Sequence, residues 1–483
     1  MIRFRMVPDS WRRSCAILTL FLVATQPAAG QGTTLTPAQL ARIDSAFVQY
    51  QRPESPGCAL GVSRNDQMVL EQAWGHAELE YSIPISPATI FEGGSVSKQF
   101  TAAAVLLLAQ EGKLSLDDNL RRWVPEIPDY GTPITIRHLL NHTSGLKDWG
   151  SIAGIGGWPR GSRIYTHAHV LEILGRQGSL NYTPGAEYLY SNSNYNLLAI
   201  IAERVSGESL PALTKRLIFD PLGMTHTSWR DDFTRIVPGR AQAYARAADG
   251  WHLEMPSENV YGNSSLLTTV GDLLKWSANT AHMRVGGQAF RAEQQRKGRL
   301  NDGSDITYAA GIQMTTYAGM PEISHTGATA GYRAFLGRYP ESGWAIAILC
   351  NASNAAPGPL GHAVVDAVLG RPPTRAPSVG PSATLTIAPV QAAALREFAG
   401  HYRSIEADVT LEAAVQEGRL VLLGTPSRRM VLTAGGADQF NAGGNGIVFT
   451  RNPAGAVDGM LFTVDRARKV KFERVEGSGG PSQ

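Results

Sequence analysis

The chain has 483 residues, of which 43% are apolar and 18% are charged, a composition typical of a globular protein with two or three domains. Its formal net charge is +3, and residues 1–30 account for all of it, because they hold four arginines and one acidic residue, Asp9. The rest of the chain is neutral and has no basic run, which argues against a nucleic-acid partner.

Residues 1–30 have the pattern of a secretory signal peptide. Arginines precede the apolar run CAILTLFLVA (15–24), and Ala28-Ala29-Gly30 offers a cleavage site before Gln31. As a helix this run rises about 15 Å, half of the roughly 30 Å hydrocarbon core, which disfavours the alternative of a membrane anchor. No later segment could span a bilayer. We therefore expect an exported protein, periplasmic or extracellular, with no stable membrane span after signal removal.

Signal removal leaves two cysteines, Cys58 and Cys350, each inside an apparent strand (CALGV and AIAILC). Two cysteines in an oxidising compartment can pair. Free cysteine is also among the most buried residue types, and we favour two buried free thiols over a disulfide.

The first predicted elements are a helix, a hairpin and a second helix. Thr36-Pro37-Ala38-Gln39 predicts a helix start with a threonine cap, proline at the first position and glutamine at the third. GCALGVS and QMVLEQAW, separated by Arg64-Asn65-Asp66, predict a β-hairpin. The nearly continuous apolar pattern of residues 95–113 then predicts a buried central helix that stops around Gly112.

The middle of the chain, residues 115–300, is rich in helices and loops. Its clearest helix is YNLLAIIAERVSG (195–207), ended by Gly207. Strands return at residues 325–351 with HTGATAGYRAFLGRYP and GWAIAILCN. Because strands flank the helical middle, we predict one sheet built from both ends of this region, with the helical part bordering it.

The sequence pattern changes from helical to strand-like after GRPPTRAPSVGPS (370–382), which has the composition of a linker. The short runs DVTLEAAVQ, GRLVLLG, GNGIVFTR, GMLFTVDR and VKFERV predict a small antiparallel sheet or barrel. The predicted domains are a signal peptide (1–30), a main domain (31–369), a linker (370–388), a small antiparallel β domain (389–476) and a disordered tail (477–483).

FEGGSVSKQF (91–100) carries the strongest chemical pattern. Ser95 and Lys98 are three apart at the predicted helix start, so their side chains lie on one face within about 5–6 Å. The positive end of a helix favours a developing oxyanion, and Gly93-Gly94 allows a substrate to approach the backbone. Enclosure by the apolar helix would lower the lysine pKa and make it a proton acceptor. Ser-x-x-Lys alone is a weak signal, and by itself it favours a capping serine with an ordinary surface lysine.

Two further segments could complete a site. Tyr190 and Asn192 lie two apart in a predicted loop, where one can accept a proton and the other can orient Lys98, although each also fits a capped helix start. His325-Thr326-Gly327-Ala328 enters a predicted strand, and the N–H groups of Ser95 and Ala328 would form an oxyanion hole. A strand start with a surface histidine is the alternative.

The ordered trio Ser-x-x-Lys, Tyr-x-Asn and His-Thr-Gly resembles the penicillin-recognising serine hydrolases. The closer match is the branch of class C β-lactamases, D-alanyl-D-alanine carboxypeptidases, D-aminopeptidases and related esterases. FEGGSVSK is similar to the nucleophile signature of this branch, where an aliphatic residue usually stands at the place of Gly93. ITIRHLLNHTSGL (134–146) is similar to another recurrent stretch. The resemblance covers residues 35–365, roughly.

This resemblance implies an α/β (α+β) β-lactamase-like fold, in which an antiparallel sheet is flanked by helices and accompanied by a helical region. The small all-β C-terminal domain is similar to the accessory domain of some D-aminopeptidase-like members, where it shapes the cleft. No metal or organic cofactor is implied. The expected partner is a small-molecule or peptide substrate, and the oligomeric state is left open.

The resemblance also assigns residue roles. Ser95 would be the nucleophile that forms an acyl-enzyme, and Lys98 its proton partner. Tyr190 would be the general base for acylation or deacylation, and Asn192 would orient Lys98. The substrate-binding strand would consist of His325, Thr326, Gly327 and Ala328.

His325 departs from the β-lactamases of this branch, which usually have lysine at the first place of the third motif. Histidine is largely neutral at neutral pH, so we expect hydrolysis of small amides or esters, with D-amino-acid peptides or carboxylic esters favoured. A class C-like β-lactamase is the alternative. An alternative of another class is a penicillin- or peptide-binding protein without turnover.

Other motifs are weaker. His138-Leu-Leu-Asn-His142 has zinc-like spacing but lacks the glutamate of His-Glu-x-x-His, so we predict no metal site. We expect His167 and His169 at the surface. The Gly-x-Ser-x-Gly elbow of α/β-hydrolases fails at Ser97.

Overall fold

The structure is a computed structural model that describes residues 34–372, 392–424 and 428–476. In the first of these segments, strands lie towards both ends and most helices lie between them. Its strands are β1 (Cys58–Arg64), β2 (Gln67–Trp74), β3 (His76–Glu78), β4 (Ile83–Pro84), β5 (Phe91–Glu92), β6 (Ser228–Trp229), β7 (Tyr244–Ala247), β8 (Gly250–Leu253), β9 (Leu266–Thr268), β10 (Gln313–Tyr317), β11 (Met320–Thr329), β12 (Tyr332–Tyr339) and β13 (Trp344–Cys350). Its helices are α1 (Pro37–Ala46), α2 (Lys98–Gln110), α3 (Ile136–Leu140), α4 (Trp149–Ile155), α5 (His167–Gly175), α6 (Asn192–Ser206), α7 (Leu210–Thr214), α8 (Asp220–Leu222), α9 (Val270–His282), α10 (Gly287–Gln294) and α11 (Pro357–Val368).

The main sheet is built from both ends of this segment, as the sequence predicts. Its strand order is β10-β11-β12-β13-β1-β2, and all neighbours are antiparallel. The β1–β2 hairpin is confirmed, with its turn at Asn65-Asp66. The start of α1 is also confirmed, because Thr36 and Gln39 form a reciprocal capping box with proline at the first helical position.

The two faces of the sheet bury different cores. Along β13, Ile346 and Ile348 pack on the side that also holds residues of α1 and α11, whereas Ala345 and Ala347 belong to the core shared with α2 and α6. The alternation follows from the two-residue period of a strand. The sheet is therefore covered on both faces, which explains why β13 is apolar throughout.

The central helix is confirmed, but it begins later than predicted. A 3₁₀ turn at Gly94–Ser97 precedes α2, which runs to Gln110. The Ser97 hydroxyl donates to the Gly94 carbonyl oxygen (2.5 Å) and accepts from the Leu266 N–H (3.0 Å). These local bonds hold the turn tighter than an α-helix, so Ser95 lies on the turn rather than in the helix proper.

The prediction of two free thiols is wrong. Cys58 and Cys350 form a disulfide. They are directly opposite each other in the antiparallel β1–β13 pair, with their Cα atoms 4.0 Å apart. The sequence could not show this register, because 292 residues separate the two cysteines.

The C-terminal β region, residues 400–475, forms a single antiparallel sheet that curls towards a barrel. Its strand order is β17-β16-β15-β14-β22-β21-β20-β19-β18, and the five predicted strand runs correspond to β15, β16, β20, β21 and β22. A short helix, α12 (Ala392–Leu395), precedes it. The strands are β14 (Gly400–Ser404), β15 (Val409–Gln416), β16 (Arg419–Gly424), β17 (Arg428–Val431), β18 (Thr433–Ala434), β19 (Gln439–Ala442), β20 (Asn445–Arg451), β21 (Val457–Val464) and β22 (Ala467–Val475).

Buried polar contacts join the C-terminal β region to the helical part. The Lys147 amine lies 2.7 Å from the Glu406 carboxylate, and both side chains are nearly inaccessible. Glu406 also accepts from the Gly178 N–H (2.9 Å), and its carbonyl oxygen accepts from the Gln177 amide (3.1 Å). Separating the two parts would leave one of these buried charges without its partner, which would strongly destabilise the protein. This contact therefore holds the β region against the helical part.

Some expectations concern residues outside the described segments. The proposed signal peptide, the linker beyond Pro372 and the tail at 477–483 all lie there. Within the described segments, no helix is long and apolar enough to cross a bilayer. His167 and His169 are half-buried rather than at the surface, since His167 packs on Tyr261 and His169 caps α5.

Candidate active site

Ser95 lies where the 3₁₀ turn meets the end of β11. Gly94 has φ +50°, a left-handed conformation that favours glycine. A Cβ atom on Gly94 would lie 2.5 Å from the Ala328 nitrogen, and one on Gly327 would overlap the Gly93 carbonyl oxygen. Both glycines are therefore required for the two backbones to touch, which brings the N–H groups of Ser95 and Ala328 to one place.

The end of β11 extends past its neighbour β10. The β10–β11 pairing stops at Gln313 opposite Ser324, so residues 325–329 have no β10 residue beside them. His325 to Ala328 therefore lie inside β11, not at its start as predicted. On this side the strand end behaves as a sheet edge and faces the Ser95 turn.

Lys98 is completely buried. Its amine nitrogen lies 3.2 Å from Ser95 Oγ, 3.0 Å from Asn192 Oδ1 and 2.7 Å from the carbonyl oxygen of Asn263. The last two atoms can only accept hydrogen bonds, so they take two of the amine's hydrogens. The remaining position of the amine points at Ser95, where a neutral amine presents its lone pair.

The pKa of Lys98 is held well below its ordinary value. Burial is the main cause, because it removes water from the charged form. The positive charges of Arg160 and Arg466 lower this pKa further, while Asp148 opposes them. The site thus favours the neutral amine, which is the form able to take a proton.

Asn192 is the first residue of α6, not a loop residue as predicted. The preceding Ser191 makes no side-chain cap. The Asn192 N–H is instead capped by the carboxylate of Asp148, at 2.6 Å. A cap supplied from 44 positions away leaves no local signal, so the helix start could not be read from the sequence.

Tyr190 lies between the serine and a cluster of rings. Its hydroxyl hydrogen-bonds with Ser95, and the Lys98 amine lies 4.7 Å from the ring centroid. Burial raises the pKa of Tyr190, while the Ser95 hydrogen bond and the charge of Arg466 partly oppose the rise. The phenol therefore stays protonated at neutral pH, which suits a proton donor better than a resident base.

His325 is buried and uncharged at neutral pH. Its Nδ1 lies 2.6 Å from the Thr326 carbonyl oxygen, so Nδ1 carries the hydrogen. Its Nε2 then accepts from the Tyr308 hydroxyl, at 3.0 Å. Burial and the nearby Lys98 charge lower the pKa of His325 to about 4.

A cavity of about 520 Å³ opens beside Ser95. It brings together Ser95, Tyr190 and Asn192 with the whole third motif, whereas Lys98 lies behind its wall. The side chains or backbone of these residues line it: Ser95, Arg160, Tyr190, Asn192, Asn263, Ser264, Gln313, His325, Thr326, Gly327, Ala328, Arg333, Pro357 and Arg466.

Sequence reasoning missed several groups at this site. Asn263 acts through its carbonyl oxygen, and Asp148 through a helix cap, so no motif marks either one. Arg466 comes from the β21–β22 hairpin of the C-terminal β region, and its guanidinium lies 5.0 Å from the Tyr190 ring centroid. Below the turn, Glu92 and Arg230 form a buried ion pair at 2.8 Å that supports β5.

The two histidines with zinc-like spacing serve different ends. His138 caps α3 through the Thr135 backbone, whereas the buried ring of His142 packs 4.3 Å from that of Tyr190. Among the described residues, no group of three or more His, Cys, Asp or Glu side chains is arranged to hold a metal ion.

The assembled groups suit acyl transfer. A hydroxyl nucleophile, a lysine with a lowered pKa and a phenol within hydrogen-bonding distance lie next to two backbone N–H groups. Such N–H pairs stabilise the negative oxygen that forms when a carbonyl is attacked.

The chain is similar to known proteins. The family model described as Beta-lactamase matches residues 43–370. Penicillin-binding protein 4* of Bacillus subtilis is 30% identical over 308 residues, which are 59% of this chain and 65% of the relative. A D-aminopeptidase of Gluconobacter oxydans is 25% identical over 65% of this chain and 60% of its own length. The chain thus matches less than two thirds of either relative.

A solved structure extends the likeness to the C-terminal β region. The octameric penicillin-binding protein homologue from Pyrococcus abyssi has a TM-score of 0.62 and 22% identity, and the match covers 90% of this chain and 99% of that one. At this identity the likeness concerns the fold alone. The predicted β-lactamase-like fold with an all-β C-terminal region is confirmed.

Proposed function

The chain belongs to the beta-lactamase family of serine hydrolases, and we propose that it forms an acyl-enzyme at Ser95 and hydrolyses small amides or esters. D-amino-acid peptides and carboxylic esters are the favoured substrates. The observation that carries the proposal is the buried Lys98 amine, 3.2 Å from Ser95 Oγ and bound on its other sides to two acceptor oxygens.

Acylation begins with transfer of the Ser95 proton to Lys98 as Oγ attacks the substrate carbonyl carbon. The N–H groups of Ser95 and Ala328 stabilise the resulting oxyanion. The carbon–nitrogen or carbon–oxygen bond of the substrate then breaks, and the leaving group needs a proton. Tyr190 supplies it and is reprotonated from Lys98, which restores both groups.

Deacylation repeats these steps with water in place of the departed group. The water loses a proton to the Tyr190–Lys98 pair, attacks the acyl carbon, and Ser95 Oγ leaves with the proton. By microscopic reversibility, the Tyr190–Lys98 pair accepts a proton in this half of the reaction and donates one in the other half. Both halves use the same oxyanion contacts.

The neutral His325 favours peptidase or esterase chemistry over that of a β-lactamase. It offers no positive charge to a drug carboxylate at the first place of the third motif. The D-aminopeptidase among the relatives supports the same choice. No observation on the site favours a protein without turnover, since the serine, lysine and tyrosine are all in contact.

We also propose that residues 31–369 and 389–476 are the hydrolase and β domains, joined by the 370–388 linker. Export after cleavage of residues 1–30 is part of the proposal. The Cys58–Cys350 disulfide supports it, because disulfides persist in oxidising compartments.

A substrate panel tests the proposed function. Purified protein is assayed on nitrocefin, p-nitrophenyl esters and D-alanyl amides, with Ser95→Ala as the control. Turnover of esters or D-alanyl amides above nitrocefin, lost in the control, is expected. Preferential nitrocefin turnover would support the β-lactamase alternative, and no turnover of any substrate would contradict the proposal.

A further inference from the structure

The cavity beside Ser95 has a positive lining. Among the described residues that line it, three are arginines and none is acidic: Arg160, Arg333 and Arg466. His325 adds no charge, because both of its ring nitrogens are engaged by Thr326 and Tyr308. Any positive charge offered to a substrate must therefore come from the arginines.

The three arginines differ in how far they are already neutralised. Arg160 makes a bidentate contact with the Glu258 carboxylate, at 2.7–3.1 Å, and that carboxylate is 6% exposed. Arg333 donates to the carbonyl oxygens of Ala330 and Tyr332.

The ion-pair partner of Arg466 is far more exposed than that of Arg160. Its Nε lies 3.0 Å from the carboxylate of the adjacent Asp465, which is 73% exposed. Water and salt screen an exposed pair of this kind, so its net stabilisation is small. The Arg466 guanidinium thus stays available to a substrate anion, and of the three arginines it is the one that lies over the Tyr190 ring, at 5.0 Å from the centroid.

The hairpin tip that carries Arg466 is fixed in place. The carbonyl oxygen of Arg466 accepts hydrogen bonds from the Asp148 N–H and from the Asn181 side-chain amide, each at 3.1 Å. The Asn181 side-chain oxygen in turn accepts from the Arg468 N–H at 2.7 Å. The Asp148 carboxylate also caps α6 at Asn192. Asp148 therefore links the backbone of Arg466 to the start of α6.

We propose that Arg466, supplied by the C-terminal β region, selects substrates whose leaving group carries a carboxylate. The guanidinium lies over the Tyr190 ring, and Tyr190 is the residue that protonates the leaving group under the proposed function, on which this inference rests. An arginine held there can bind a leaving-group carboxylate in a charge-assisted, bidentate contact. The C-terminal β region thereby completes the substrate site.

The test compares two esters with the same acyl group, 3-acetoxybenzoate and its neutral methyl ester. Since both give the same acyl-enzyme, the ratio of their kcat/KM values reports on recognition of the leaving-group charge during acylation. Arg466→Gln should lower the anionic-to-neutral ratio about ten- to hundredfold, as expected for loss of a hydrogen-bonded charge pair. Arg466→Lys should retain part of the preference, and added salt should weaken it in the wild type.

Arg468→Gln is the matched control. Arg468 lies two residues further along the same hairpin and pairs with Glu187 at 2.8 Å, and its substitution should leave the ratio unchanged. An unchanged ratio in Arg466→Gln, with the neutral ester still hydrolysed, would overturn this inference and leave the proposed function standing. If the wild type hydrolyses neither ester and Ser95 takes no label, the proposed function falls, and this inference falls with it.

Discussion

The Lys98 amine and the Asn263 carbonyl oxygen lie 2.7 Å apart, the shortest of the three contacts of that amine. A backbone carbonyl gives no proton and carries no full charge. It holds the amine next to Ser95 without stabilising the ammonium form as a carboxylate would. The position and the basicity of Lys98 are therefore set separately. The oxygens of Asn192 and Asn263 hold the amine in place, and burial lowers its pKa.

This arrangement predicts the effect of Lys98→Met. The methionine fills similar volume but cannot take a proton, so labelling of Ser95 by a fluorophosphonate should slow by about 10²–10⁴, the usual contribution of a general base. Lys113→Met is the control, because Lys113 is exposed beyond the far end of α2. Labelling of folded Lys98→Met protein at a near-normal rate would rule out the proposed proton transfer.

Tyr190→Phe should impair amides more than activated esters. An amine leaving group must be protonated to depart, whereas p-nitrophenolate departs without help. We expect kcat to fall on the order of 10² or more for a D-alanyl amide and less for a p-nitrophenyl ester. Tyr188→Phe, in the neighbouring and more exposed ring, should change neither rate much. Equal losses on both substrates would contradict the role of Tyr190 as proton donor.

Gly327→Ala should disrupt the oxyanion contacts. The new Cβ would overlap the Gly93 carbonyl oxygen, so β11 and the Ser95 turn must move apart. Acylation should fall by about 10²–10³, the cost of losing one oxyanion donor. Gly358→Ala is the control, because its Cβ meets only the Thr326 methyl at an ordinary 3.5 Å. Wild-type rates in Gly327→Ala, measured by stopped-flow acylation, would refute the contact.

The sequence predicted the parts of the site whose signals are local. Ser95 and Lys98 are three residues apart, and the order of the other motifs supplied Tyr190, Asn192 and His325. It could not supply Asn263, whose contribution is a carbonyl 165 positions from Lys98. The sequence could not supply Arg466 either. Asp465-Arg466 has the composition of an ordinary hairpin turn, and only the tertiary fold brings Arg466 to Tyr190.

The fold shows the same division between local and long-range signals. Period-two and helical apolar patterns predicted the main sheet, α2 and the C-terminal strands, since burial alone sets those patterns. Register and capping depend on partners far along the chain. The Cys58–Cys350 disulfide and the Asp148 cap on α6 were missed for this reason.

His325 should make stability depend on pH. Its pKa is about 4 in the folded protein and about 6.5 when unfolded, so between these values only the unfolded state binds the proton. Stability is therefore lost as the pH falls through this window, on the order of 2 kcal/mol between about pH 7 and about pH 4.5. Urea unfolding of His325→Asn should show a smaller loss than the wild type over the same range.

The control for this prediction is His252→Asn, because His252 is exposed on β8. It should lose as much stability as the wild type on acidification. If His325→Asn and the wild type show the same change in unfolding free energy, His325 is not the group held neutral by burial.

The most direct test of the proposed chemistry is the mass of the protein after reaction with a fluorophosphonate probe, followed by peptide mapping. We predict a single adduct on Ser95 that is absent from the folded Ser95→Ala variant. Folded wild-type protein without an adduct at Ser95, or an adduct that persists in Ser95→Ala, would contradict the assignment of Ser95 as the nucleophile.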